Sequence, residues 1–180
     1  MSAVFLITGI SAAGKSTVAQ ELAERLPRSA HVRGDLFRRM VVSGGVGMTP
    51  DLDEEARRQL RLRYRLAAAA TDIYFQEGFT PVVQDVVLGA DLELFAGLIR
   101  SRPLHVVVLA PDAAVVERRE AERAKTGYGV WTVAQLDEAL RRDTPRLGLW
   151  LDTSSQTPAE TVDEILARAA ESVVHVDPTA

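Results

Sequence analysis

The sequence predicts an α/β fold of three layers, a parallel sheet of roughly five strands with helices on both faces, and two observations carry that expectation. Strand and helix signals alternate from end to end, and the glycine-rich segment Gly9-Ile10-Ser11-Ala12-Ala13-Gly14-Lys15-Ser16 stands between the first strand and the first helix. The run Val4-Phe5-Leu6-Ile7-Thr8 reads as a buried strand and Thr17 to Leu26 as a helix, the context in which a GxxxxGKS segment cradles phosphate. Its glycines let backbone N–H groups curl around oxygens, the positive end of the helix faces the same charge, and Lys15 reaches the terminal phosphates. Lys15 is conspicuous because only Lys15 and Lys125 are lysines among 21 basic residues.

The remaining elements follow in order. A short strand at His31 to Arg33 leads to a helix from about Asp35 to Val42, and the segment Ser43 to Pro50, rich in glycine, predicts a mobile loop. Asp53 to Glu77 reads as a long helix, with acids at its start and Gly78 at its end. Pro81 to Val87 is predicted as a strand, Ala90 to Arg100 as a helix, Leu104 to Leu109 as an all-apolar strand, and Asp112 to Lys125 as a helix capped by Asp112. Thr132 caps a short helix reaching about Arg142, Gly148 to Leu151 is a last strand, and Thr157-Pro158 opens the final helix, with a frayed tail after His175.

Composition sets the bounds. A chain of 180 residues, 47% hydrophobic, is long enough for one well-buried domain spanning residues 1–180. It lacks cysteine, which excludes disulfides and thiolate metal sites, and it shows neither a basic-then-apolar leader nor a long apolar run, so the expectation is a cytoplasmic protein without membrane contact. A net charge of −4 speaks against nucleic acid as a partner held by a global field. Lys125 is followed by Thr126 and Gly127, so no Asn-Lys-x-Asp guanine reader is present around it.

Ligands of open α/β sheets sit at the carboxyl ends of strands. There the sequence puts Asp35, after the second strand, and Asp85, at the end of Pro81-Val82-Val83-Gln84-Asp85. Asp85 reads either as an acid holding magnesium through water or as an ordinary loop aspartate; Asp35 reads as an acid that takes the proton of an acceptor hydroxyl or as a helix N-cap. Arg118, Arg119 and Arg123 lie before a glycine-bracketed loop. They read as a lid over a transferring phosphoryl group, at residues 118–131, or as a salt-bridged solvated helix with Glu117, Glu120 and Glu122. Arg57, Arg61 and Arg65, with Arg58 and Arg63 beside them, read as a solvated face or, less simply, as a substrate clamp. His105 in its apolar strand reads as a core residue.

Together, Gly9 to Ser16, Arg33-Gly34-Asp35, Val83-Gln84-Asp85-Val86-Val87-Leu88-Gly89 and Glu117 to Arg123 resemble chloramphenicol phosphotransferases. These are small P-loop kinases built like nucleoside monophosphate and shikimate kinases, which move the γ-phosphate of ATP to a hydroxyl of an antibiotic. The resemblance implies a P-loop kinase fold with a short lid, ATP and Mg2+ as cofactors, and a hydroxylated small molecule as acceptor. It implies nucleotide binding by Gly9, Ser11, Ala12, Ala13, Gly14, Lys15, Ser16, Thr17 and Arg119, and magnesium held by Ser16 and Asp85. Asp35 is then the base, Lys15, Arg119 and Arg123 stabilise the transferring group, and residues 43–77 form the acceptor side. By analogy with related kinases the loop from Asp152 to Pro158 reads as the lining of the adenine, or, from its Ser and Thr content, as an ordinary helix-entry loop. Gln84 stands where the family usually shows the first of two acids.

A second resemblance runs through Asp35-Leu36-Phe37-Arg38, which is similar to the Asp-x-x-Arg step of polynucleotide-kinase-like enzymes. It implies a 5′-hydroxyl polynucleotide or nucleotide kinase in which Asp35 and Arg38 face the substrate. A third reading is a nucleotide-binding regulatory ATPase whose nucleotide state orders the Ser43 to Pro50 loop.

Overall fold

A computed structural model describes residues 2–47, 53–122 and 130–177. Five strands, β1 (Val4–Thr8), β2 (Ser29–Arg33), β3 (Thr80–Gln84), β4 (Leu104–Leu109) and β5 (Leu149–Leu151), form a parallel sheet in the order β2-β3-β1-β4-β5. A sixth strand, β6 (Val173–Val174), pairs antiparallel with Leu104 and His105 of β4, an addition that two residues of strand propensity did not announce in the sequence.

Helix α1 (Lys15–Arg25) follows β1, α2 (Gly34–Arg39) and α3 (Glu54–Gln76) connect β2 to β3, and α4 (Asp91–Leu98) connects β3 to β4. Between β4 and β5 lie α5 (Ala113–Ala121), α6 (Val133–Glu138) and a π-helical turn, Ala139–Asp143; α7 (Pro158–Ala167) and α8 (Ala169–Ser172) complete the chain's helices. The chain steps one way across the sheet from β1 to β2 and the other way from β2 through β3 and β4 to β5. Right-handed crossovers then place α1 on one face, with α7 packed beside it, and α3 and α4 together on the other.

The core is continuous because both faces of the sheet are covered: all five residues of β1 and all six of β4 are buried. On α3 the buried positions Ala56, Tyr64, Ala67, Ala68 and Thr71 fall at helical spacing, and Tyr64 stacks on Phe95 of α4 with ring centroids 5.1 Å apart. His105 lies in the core as the sequence suggests, its ring stacked on Phe5 at 4.5 Å and its Nδ1 within 2.9 Å of Ser172 Oγ.

Several expectations shift. The helix beginning near Asp35 ends at Arg39 instead of Val42, β3 stops at Gln84, and α4 ends at Leu98. Asp112 stands at the N-cap of α5 but its carboxylate accepts no capping bond; its own amide donates to Ser154 Oγ instead. Thr132 caps its helix as expected, in a capping box with Gln135, and Thr157 forms a second capping box with Glu160 at the start of α7. The loop from Ser43 is held through residue 47: Gln59 of α3 accepts from the Val46 amide at 2.9 Å and donates to the Gly44 carbonyl at 2.9 Å. Met48, Thr49 and Pro50 lie outside the described residues.

Candidate active site

Three strand ends meet at one level. Ile7 of β1, Gln84 of β3 and Arg33 of β2 are register partners, so Thr8, Asp85 and Gly34 leave the sheet side by side. Gly9 then turns sharply at φ 147°; a β-carbon there would stand 2.5 Å from the Leu109 carbonyl oxygen at the end of β4. The loop continues through Ala12 at φ 60° and Gly14 at φ 94° into α1, whose first amides lack intrahelical acceptors and face the loop's concavity. Lys15 is buried, with Nζ donating to the Ile10 carbonyl at 2.7 Å, and the hydroxyl-bearing Ser16 and Thr17 are exposed at the helix start. Thr8 Oγ1 both donates to the Val87 carbonyl and accepts from the Val87 amide, at 3.0 Å each, which fixes the segment after β3 against the loop.

Asp35 lies in the first turn of α2 and is not its cap, which is Arg33. Its Oδ2 accepts from Arg39 at 2.6 Å, while Oδ1 is buried and has no hydrogen-bond partner. A carboxylate oxygen withdrawn from water and left unbonded is costly unless something else bonds it.

Asp85 is the most enclosed acid of the site, its side chain 1% exposed. Arg63 grips it with two nitrogens, Nε to Oδ2 at 2.6 Å and Nη2 to Oδ1, and the Val86 amide donates to Oδ1 at 2.7 Å. Gly34 leaves room for them, because a β-carbon there would overlap the Asp85 carboxylate. Both oxygens of Asp85 are therefore engaged within the protein. Arg63 was expected on a solvated face; the structure buries it, with its side chain 13% exposed. Its spacing from Ala56, Tyr64, Ala67 and Thr71 places it on the buried stripe of α3, a signal the arginine-rich surroundings of the segment obscured. Burial disfavours its charge, Arg38 adds to that, and Asp35 offsets it, so the three residues lie within one electrostatic neighbourhood.

On the opposite flank of the loop, the Ala110 amide donates to the Leu151 carbonyl at 2.8 Å and joins the ends of β4 and β5. Two residues on, Thr153 is buried with an unpartnered Oγ1, and its carbonyl accepts from Arg119 Nη2 at 3.1 Å. Arg119 thus ends α5 over the Asp152 to Pro158 loop. Arg123, with half of the lid expected at 118–131, lies outside the described residues. No group of three or more His, Asp or Glu side chains arranged as metal ligands occurs among the described residues.

A phosphate loop, acids at neighbouring strand ends and this strand order define a P-loop protein of the kinase-like class. Residues 4–172 match a family model described as an AAA domain, and the chain belongs to that family. It is 30% identical over 145 residues to a UPF0200 protein of Aeropyrum pernix, covering 76% of this chain and 73% of that one. Among solved structures, a sugar kinase from Janibacter sp. HTCC2649 superposes with a TM-score of 0.69 at 18% identity, covering 97% of this chain and 100% of that chain. The tunicamycin resistance protein of Deinococcus radiodurans gives 0.69 at 19% identity, covering 97% and 99%. At these identities the likeness is one of fold. No helix among the described residues is long and apolar enough to cross a membrane.

Proposed function

We propose that the protein is an ATP-dependent phosphotransferase that moves the γ-phosphate to a hydroxyl of a small molecule in the cytoplasm. The observation that carries this reading is the unbonded, buried Oδ1 of Asp35 at a strand end beside the phosphate loop. An acceptor hydroxyl is the donor that oxygen lacks, and accepting its proton as the phosphorus–oxygen bond forms is base chemistry of the required kind. Lys15 leaves the Ile10 carbonyl for the terminal phosphates, and the amides of the loop and of α1 cradle them. The nucleotide base then falls toward Thr153 and Arg119, on the flank away from Asp35.

Magnesium fits this site through oxygen ligands of the nucleotide, water and one hydroxyl, and that hydroxyl is Ser16, exposed at the mouth of the loop. When bound, the ion neutralises charge on the phosphate oxygens. Asp85, whose oxygens Arg63 and Val86 already occupy, acts in this reading by holding Arg63 and not as a direct metal ligand.

The resemblance to chloramphenicol phosphotransferases makes hydroxylated antibiotics a first group of acceptors to try. The test is an ADP-release screen over hydroxylated antibiotics, sugars, nucleosides and 5′-hydroxyl oligonucleotides, with Lys15→Ala as blank. Asp35→Asn is expected to lower turnover by about a hundredfold or more while Mg·ATP affinity stays within about twofold. Undiminished turnover in Asp35→Asn would remove the base assignment.

A further inference from the structure

Near Asp35, α2 and α3 line a cavity of about 390 Å³ that is open to solvent and within the size range of small-molecule sites. One wall is apolar, made by Phe37, Val41, Leu62 and Leu66, and the strap of residues 43–47, pinned by Gln59, roofs it. The floor is basic. Arg38, Arg58 and Arg63 line the cavity against a single acid, Glu55, and Glu55 is spent on Arg58 at 2.8 Å and on Gln59 at 2.8 Å. Asp85 satisfies Nε and Nη2 of Arg63, which leaves Nη1 without a partner among the described residues, and Arg38 forms no ion pair among them. Asp35, on the same helix as Arg38, is paired with Arg39. The cavity therefore holds one uncompensated positive charge next to an apolar wall.

We infer that the acceptor is a hydroxylated molecule with a compact apolar body and one anionic group, a carboxylate or a phosphate monoester, which Arg38 and Nη1 of Arg63 bind while its hydroxyl meets Asp35. This rests on the phosphotransferase reading and adds the substrate class to it. A planar guanidinium pair offers N–H groups matched to such an anion, and the apolar wall discriminates against highly hydrated polyols and sugars. A nucleic-acid strand needs a chain of basic contacts, and here the uncompensated charge is single.

The experiment uses matched probes: hydroxymethyl benzoate and hydroxyphenyl propionate, each beside its neutral methyl ester or primary amide, and hydroxymethylphenyl phosphate beside its neutral dimethyl ester. Binding is read by calorimetry with Mg·ADP present, and transfer by ADP release from Mg·ATP. The anionic member of a pair is expected to bind tenfold or more tightly, as charge-assisted bonds of about 1.5–3 kcal/mol require. Arg38→Gln should erase that preference, and Arg65→Gln, on an exposed position away from the cavity, should keep it. Neutral members that bind or react as well as the anions, or a preference that survives Arg38→Gln, overturn the anionic class while the kinase reading stands. Anions that bind in an Arg38-dependent way without any ADP release uphold the pocket and defeat the kinase reading. Probes that neither bind nor react overturn the inference.

Discussion

Replacing Asp85 by Asn strands the Arg63 guanidinium in a place where only 13% of its side chain meets solvent. The amide keeps the shape and still accepts from Val86, yet it loses the charge that offsets the desolvation of Arg63. Breaking a buried pair by removing one partner costs about 3–5 kcal/mol, and the retained hydrogen bond places Asp85→Asn near the lower figure. With a urea slope of about 2 kcal/mol per molar, the unfolding midpoint should fall by about 1.5 M. The assay is a urea titration followed by circular dichroism, with the slope checked against wild type. A paired Arg63→Met, Asp85→Leu variant should recover most of the loss, because two apolar side chains of similar volume bury no orphaned charge. A midpoint shift below about 0.5 M for Asp85→Asn would show that water reaches the pair and that the burial argument is wrong. In the same titrations, the stabilisation that Mg·ATP confers should survive Asp85→Asn and shrink in Ser16→Ala. The opposite ranking would return Asp85 to the metal.

Gly34→Ala forces a β-carbon onto a carboxylate that Arg63 prevents from moving, and should cost about 2 kcal/mol in thermal or urea unfolding; a neutral Gly34→Ala would mean that the clasp is loose. Burial holds His105 below its ordinary pKa of 6.5, so the unfolded chain takes up that proton first as the pH falls. Its contribution is whole above 6.5 and is lost below it, until the folded pKa is passed; His105→Gln should flatten the stability profile in that window, and an unchanged slope would refute the assignment. Gln59→Ala removes the pins at Gly44 and Val46, so amide hydrogen exchange at Val46 should accelerate, and no acceleration would show that the strap holds by other contacts.

The phosphate-loop half of the candidate site was legible because it is local. Gly9 to Ser16 is a contiguous string whose flanks announce a strand and a helix, and the structure returns β1 and α1 around it. Asp35 was legible for a related reason, since a strand end before a helix is a position readable along the chain. What escaped is what depends on pairs distant in sequence. Asp85 and Arg63 are 22 residues apart, and nothing local told that the acid would face α3 and Gly34. The arginines of α3 look alike in a string, and only the phase of the buried stripe separates Arg63 from Arg57, Arg61 and Arg65. Gln59 escaped likewise, because its partners are backbone groups of a loop whose course the sequence does not fix.

The clasp of Gly34, Asp85 and Arg63 also bears on how such a chain is able to diverge. Its three positions interlock, so that a single replacement at any one is penalised while compensating pairs are rare neighbours in sequence space. Val41, Leu62 and Leu66 carry no such interlock: each lines the cavity from an exposed position, 40–43% accessible. Under the proposed phosphotransferase reading, acceptor choice would be free to drift over a base that resists change, a division of mutational tolerance that would let one framework be retuned to new hydroxyl compounds without being rebuilt.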